Sequence, residues 1–537
     1  MTGMITRAGK RASTMVKRWS AEAPARRFMA FCQRKWPRRP GAESDSVVLV
    51  GLLASNPSIF CYAYVTNHLA EKHGSRIESY QFGGRVSPLL RKLYESFGAR
   101  FGLSMANAAP QESRIQAEAT EICTGLKTKA DVVNIAVDGV ILGDQIYDSY
   151  LRFFNEPTVR LDDPRLREIV VQALRIFHAT RDYLARNRVT AFITNDFSYI
   201  TNGVATRLMF LAKVPIYVVS YGEPFSLIEV DPKPSGVGHN FPPPYVHRYY
   251  SFPELFAKMT VEEKADALET GRQALEERLS GKFCPLVNMP GTTYAVSDKR
   301  VLDEGPEPRI LVMMHDFVDS PHCYRDMLFP DYVEWIRFLL KRAAETPFRW
   351  YVKPHPCTAD MSGDSTRKEM SEANNRIVAQ LAREFPEVTF LDATTSNQQI
   401  LNDGVTAMFS VCGTAGHEFA YRGVPAVNCG DNPHIAYDFN IHARTIEEYE
   451  GYIRNADRLQ VTIDKRAIEE CVFMYYFYHS QKYGSPCNPI DERIFADPAG
   501  ERRANQLTAF DEFIAGVTPE RERGVTEYLN RFFSQPS

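Results

Sequence analysis

Phe409-Ser410-Val411-Cys412-Gly413-Thr414-Ala415-Gly416-His417-Glu418-Phe419-Ala420-Tyr421-Arg422-Gly423-Val424-Pro425-Ala426-Val427 reads as an apolar strand, a small-residue turn, a short helix and a second strand. The turn 412–416 has little side-chain bulk, so backbone N–H groups can approach a ligand, and the helix that follows points its positive end the same way. Phosphate is the natural guest of such a turn. Gly423 stands where a helix C-cap is expected and Pro425 opens the next strand, which holds the helix to about two turns. That places Glu418 on the side of the cleft, near whatever the turn binds.

Upstream, Phe348-Arg349-Trp350-Tyr351-Val352 has the composition of a strand and runs into Lys353-Pro354-His355-Pro356. The two prolines fix the backbone on either side of His355 and set a lysine beside it at the carboxyl end of a strand, where open α/β sheets bind ligands.

Together these motifs resemble the C-terminal half of GT-B glycosyltransferases. The resemblance is to the bacterial surface-polysaccharide group that includes capsule Kdo transferases, bacterial sialyltransferases and polyol-phosphate polymerases. It covers residues 305–440 well and the N-terminal half only loosely. It implies that His355 and Pro356, with Lys353 beside them, contact the donor phosphate, that Ser410, Gly413 and Thr414 grip it from the other side, and that Glu418 holds the nucleotide ribose. The expected fold is two doubly wound α/β domains facing across a cleft, with C-terminal helices crossing back. The expected activity is sugar transfer from a nucleotide sugar, CMP-Kdo-like or other, to a surface glycan or lipid-linked acceptor. A CDP-polyol phosphotransferase, a nucleotide-sugar 2-epimerase and a non-catalytic scaffold of the same fold stay open as alternatives.

A chain of 537 residues, 44% hydrophobic and 24% charged, is long enough for two cores. Its net charge of −3 argues against a general nucleic-acid binder. The ten cysteines include no CxxC pair, which suits a reducing, cytoplasmic setting. The apolar run at 47–54 is too short to cross a bilayer. The first forty residues hold eleven Lys or Arg against one acid, Glu22, with apolar residues at helical spacing among them. Residues 1–45 are therefore expected as a basic tail suited to an anionic membrane surface, on the inner face of a bacterial inner membrane. Residues 46–285 follow as an acceptor domain, 286–304 as a linker, 305–470 as a donor domain and 471–537 as the returning helices.

Within 46–285, strands are expected at 46–54, 77–82, 132–137, 191–194 and 216–220, with helices at 56–72 and 164–187. Asp138, Asp144 and Asp148 follow the third of these strands. Transfer to a hydroxyl needs a base, and a carboxylate is the usual choice, with Asp138 first, Asp144 next and Asp148 third. Asp138-Gly139 also resembles the acidic-Gly motif of bacterial sialyltransferases, although Val137 replaces the preceding acid. Turn formation or helix capping would equally explain all three. After the strand at 310–314 come His315, Asp316, Asp319, Ser320, His322, Tyr324 and Arg325. His315, a catalytic candidate alongside Asp138 and Asp144, or Asp319 is expected to contact the donor sugar or diphosphate, His322 lies in the same cleft, and Arg325 would neutralise charge. No D-x-D sequence awaits a magnesium-bound diphosphate, so no metal or other cofactor is expected.

Overall fold

The computed structural model describes residues 22–37, 44–83, 86–220, 225–230, 249–280, 296, 299–324, 327–358, 365–485, 487–490 and 503–534. Two six-stranded sheets organise it. The first comprises β1 (Ser46–Gly51), β2 (Arg76–Gln81), β3 (Arg100–Ser104), β6 (Arg188–Thr194), β7 (Ile216–Ser220) and β8 (Ser226–Glu229), in the order β3-β2-β1-β6-β7-β8. All neighbours are parallel except β8, which runs antiparallel to β7. The second sheet is parallel throughout: β9 (Arg309–Met313), β10 (Arg349–Lys353), β11 (Thr389–Phe390), β12 (Ala407–Ser410), β13 (Ala426–Asn428) and β14 (Ile441–His442), in the order β11-β10-β9-β12-β13-β14. Parallel strands are covered on both faces, which is why Val47, Val48, Leu49 and Val50 form an unbroken apolar run with no exposure. Strand order reverses beside β1 and again beside β9, and at such points the carboxyl ends of neighbouring strands open a crevice.

The helices Asn56–His73 and Pro164–Arg186 stand where apolar periodicity put them. The strand expected at 132–137 does not form. Residues Lys129–Val133 are helical, started by a capping box between Thr128 and Asp131. Then β4 (Ala136–Val137) and β5 (Val140–Ile141) make a small hairpin whose turn is Asp138-Gly139, at φ 49° and 79°. The apolar run imitates a strand, but the capping residues and the Asp-Gly turn override it.

Part of the expected basic tail is packed structure. Helix Ala23–Lys35 buries Phe28 and Cys32 completely. Phe28 stacks on Phe510 at 4.5 Å and lies 5.7 Å from Phe60, while Arg27 pairs with Asp511. Phe28, Phe31 and Trp36, apolar residues of that expected tail, have aromatic partners within the chain. Residues 1–21 and 38–43 lie outside the described residues, as does most of the expected linker. Helices Ala509–Ala515 and Pro519–Ser534 also pack on the first sheet, where Leu227 N–H donates to the Tyr528 hydroxyl at 3.0 Å. Helix Val261–Leu279, expected with the N-terminal half, packs on helix Lys465–Tyr476 and the second half. An amphipathic pattern shows that a helix has a buried stripe, not which core the stripe covers. Among the described residues, no helix is long and apolar enough to cross a membrane.

Replacing Phe28 with Ala is expected to lower the free energy of unfolding by about 3 kcal/mol in a denaturant titration, the cost of a core cavity. An unchanged midpoint would show that this helix is not part of the folded body.

Candidate functional site

The loops leaving β9, β10 and β12 meet where strand order reverses, and His315 is the piece that joins them. Its Nε2 lies 3.0 Å from Ser410 Oγ and accepts from the N–H groups of Val411 at 3.2 Å and Cys412 at 3.4 Å. The ring stacks on Tyr332 at 4.6 Å. An Nε2 that accepts puts the proton on Nδ1, so the ring is neutral. Burial, assisted by neighbouring His355, lowers its pKa to about 3. His315 thus seats the turn after β12 rather than waiting for a ligand. The next three N–H groups, of Gly413, Thr414 and Ala415, take no partner among the described residues. They form a run of open donors at the start of helix Ala415–Tyr421. Gly416 is small for a different reason: a Cβ there would stand 2.5 Å from His434 Nε2.

In the loop after β10, His355 Nδ1 accepts from Cys357 N–H at 3.2 Å, and burial lowers the pKa of His355 against the raising fields of Asp316 and Asp319. Lys353 is buried and donates to Asn397 Oδ1 at 2.6 Å. Desolvation brings its pKa down to about 8, partly offset by Glu418. Glu418 does not face an open cleft. One of its oxygens pairs with Arg278, the other accepts from Asn397 at 2.9 Å, and the residue is only 3% exposed. The helix Val261–Leu279 brings that guanidinium, a long-range partner that no local pattern announces. Arg278, Glu418, Asn397 and Lys353 form one polar chain, buried at Glu418 and Lys353 and half-buried at Arg278 and Asn397.

The N-terminal carboxylates separate into distinct environments. Asp138, in the hairpin turn, is exposed and pairs with Arg181 at 2.5 Å. Its neighbour Gly139 serves the turn geometry. Asp144 and Asp148 both lie on helix Gly143–Phe154. Asp144 is held in a two-pronged pair by Arg207, 2.7 Å from Nη1 to Oδ1. Against the opposing effect of burial, Arg207 keeps its carboxyl below the ordinary range. Asp148 reaches the second half, where its Oδ1 lies 2.6 Å from His322 Nδ1. Asp319 accepts from the Tyr199 hydroxyl at 2.9 Å, another link between the halves. Arg325 lies outside the described residues. Arg207, Arg278, Asn397 and Tyr332 were not singled out in the sequence. Asp144, Tyr147 and Asp148, at spacings of three and four, share one face of helix Gly143–Phe154. Among the described residues, no group of three or more His, Cys, Asp or Glu is placed to hold a metal ion.

No protein-family model matches the chain, and no curated protein matches it. Among solved structures, it is similar to KpsC of Thermosulfurimonas dismutans, a beta Kdo 2,4 transferase, with 16% identity over 54% of this chain and 80% of that one, at a TM-score of 0.32. A beta Kdo 2,7 transferase KpsC from the same organism gives 13% identity over 55% and 80%, at 0.29. The UDP-GlcNAc 2-epimerase of Neisseria meningitidis gives 11% identity over 88% and 100%, at 0.17. Likenesses this distant establish neither a family nor an activity.

The neutrality of His315 has a measurable consequence. Its folded pKa near 3 lies below the unfolded value of about 6.5, so the unfolded chain takes the proton first as pH falls. Stability is therefore unaffected by this group above pH 6.5 and is drawn down between about 6.5 and 3. Denaturant titrations across that window are expected to show a shallower acid slope for His315→Gln than for the wild type. Equal slopes would show that the imidazole is not held neutral.

Proposed function

We propose that the chain is a glycosyltransferase that moves a sugar from a nucleotide-sugar donor to a hydroxyl of a bacterial surface glycan or lipid-linked acceptor, using no metal. The observation that supports this most directly is the run of unpartnered N–H groups at Gly413, Thr414 and Ala415, beside the Lys353-to-Pro356 loop at the carboxyl ends of β10 and β12. Three fixed donors at a helix start suit the diphosphate or phosphate of a donor nucleotide. They need no reorganisation when charge develops on the departing oxygen, which is where preorganised donors lower a barrier. His355 supplies a further polar group on the facing loop. Lys353, with a pKa near 8, is still largely cationic at neutral pH. It is buried and bonded to Asn397, so it contributes through its field rather than by direct contact. Glu418 is already bonded on both oxygens, so in this reading it fixes the turn through Asn397 and Lys353.

Thermal-shift titration with CMP, CDP, UDP and GDP tests the donor site. A ligand that binds only the folded state adds about 2.7 kcal/mol at a hundred times its dissociation constant, which is readily seen. One nucleotide is expected to respond, identifying the donor class. Thr414→Pro removes one of the three donors at a residue whose φ of −65° proline also adopts, and should weaken that nucleotide about tenfold. His355→Ala should lower turnover by about a hundredfold with the fold retained. A folded wild type that responds to none of the four nucleotides would remove the transferase reading.

A further inference from the structure

A cavity of about 540 Å³ lies between the two halves, lined on one side by Ala130, Ile141 and Asp144 and on the other by Phe329, Asp431 and Arg444. Cys429, on its wall, has its sulfur 3.9 Å from the carbonyl oxygen of Ser410, the last residue of β12 before the donor turn. His322 lines this cavity and also a smaller neighbouring one that Asp148 and Arg207 share.

The setting of His322 differs from that of the other buried histidines. It sits in the short turn Pro321–Tyr324 after β9, in the second half, and is 6% exposed. Its partner Asp148 comes from the first half and is 1% exposed. The carboxylate grips it twice, through Nδ1 at 2.6 Å and through the backbone N–H at 3.2 Å. The ring packs edge-on against Tyr147 at 5.0 Å, and the Tyr147 hydroxyl is anchored by Asp331 at 2.5 Å. Orientation and tautomer are thus both fixed, with Nδ1–H donating to the carboxylate and Nε2 left as an acceptor. Nε2 has no hydrogen-bond partner among the described residues. A pair serving only to join the halves would not need its second nitrogen open beside a cavity.

We propose that this cavity receives the acceptor, a hydroxyl-rich carbohydrate, and that His322 Nε2 is the group that takes the proton of the attacking hydroxyl, with Asp148 as its positioning residue. The inference rests on the transferase reading. As the acceptor oxygen bonds to the anomeric carbon of the donor sugar, its proton passes to Nε2. The electron pair of the breaking carbon–oxygen bond leaves with the nucleotide phosphate, facing the open N–H groups of the turn. The cavity wall suits such a guest: Phe329 and Ile435 offer apolar surface, while Asp144, Asp431 and Arg444 offer polar groups.

The charges around the imidazole decide its pH behaviour. Asp144 and Asp148 face it from helix Gly143–Phe154, and Asp331 from the start of helix Tyr332–Ala343; Asp144 is bound by Arg207, and Asp331 by Lys129. Cys323 is its chain neighbour. Burial lowers the pKa of His322, but the three carboxylates outweigh it and raise the pKa above the ordinary histidine value. A base must be neutral to accept a proton, so kcat/KM should rise with pH through that raised value. Removing the Asp148 charge should shift the rise to lower pH.

Nucleotide release by the full chain from CMP-, CDP-, UDP- and GDP-linked sugars, with a panel of octyl glycosides as hydroxyl acceptors, tests the assignment. His322→Gln is expected to lose at least a hundredfold in kcat while its nucleotide affinity stays within threefold of wild type. Asp148→Asn is expected to lower kcat and move the ascending limb of kcat/KM to lower pH, an effect that a merely structural link would not produce. If His322→Gln does not fold, the Asp148→Asn profile decides alone. Wild-type turnover with His322→Gln near wild type, or with an unmoved limb in Asp148→Asn, would overturn this assignment and leave the donor reading standing. No release by the wild type from any donor would remove both.

Discussion

A neutral imidazole beneath Tyr332 holds the centre of the second half together. By accepting from Val411 and Cys412, His315 couples the loop after β9 to the turn after β12 across a sequence separation of about a hundred residues. It has to be neutral for this, because a protonated ring would present Nε2–H to two N–H groups that also donate. Burial supplies that neutrality by penalising the charged form. The rest of the turn then has its position set for it, and the donors at Gly413, Thr414 and Ala415 begin where the reach of His315 ends.

Three ion pairs in or near the interior each join distant elements of the chain. Arg278 meets Glu418, Arg207 meets Asp144, and His322 meets Asp148. Such pairs add little net stability over apolar packing, but removing one member leaves an uncompensated buried charge and is costly. Their effect is to fix which segments lie together. The surface pairs, such as Lys258 with Glu254, are exposed and contribute at most a fraction of a kcal/mol.

The parallel strands and most long helices were legible because their signals are local: apolar runs of strand length, helical periodicity, proline and glycine at the boundaries. The small-residue turn and the Lys353-to-Pro356 loop were legible for the same reason. What local reading could not supply was the assignment of faces. Glu418 read as open to the cleft because nothing in its neighbourhood shows that Arg278, some 140 residues earlier, covers it. Asp138 read as chemical because Asp-Gly after apolar residues serves a site and a hairpin turn equally well, and only pairing of β4 with β5 separates them. The segment holding Phe28 and Phe31 read as part of a membrane-binding tail because the rings they pack against, Phe60 and Phe510, come from far along the chain. Gly413 and Gly416 look alike in sequence, yet one borders the open donors and the other makes room for His434.

The contacts that join the halves divide into two kinds. Asn155 with Glu369, Lys129 with Glu334 and Tyr199 with Asp319 are at least partly solvated and individually weak. Asp148 with His322 and Tyr147 with Asp331 are buried. In the buried ion pair, Asp148 belongs to one half and His322 to the other, so the oriented imidazole exists only while the halves are in contact. Parting them would return Asp148 to water, free the ring to turn, and lower the pKa that the carboxylates had raised. A base made in this way is complete only when the cavity between the halves is also complete, so proton transfer is tied to the presence of a formed chamber rather than to either half alone.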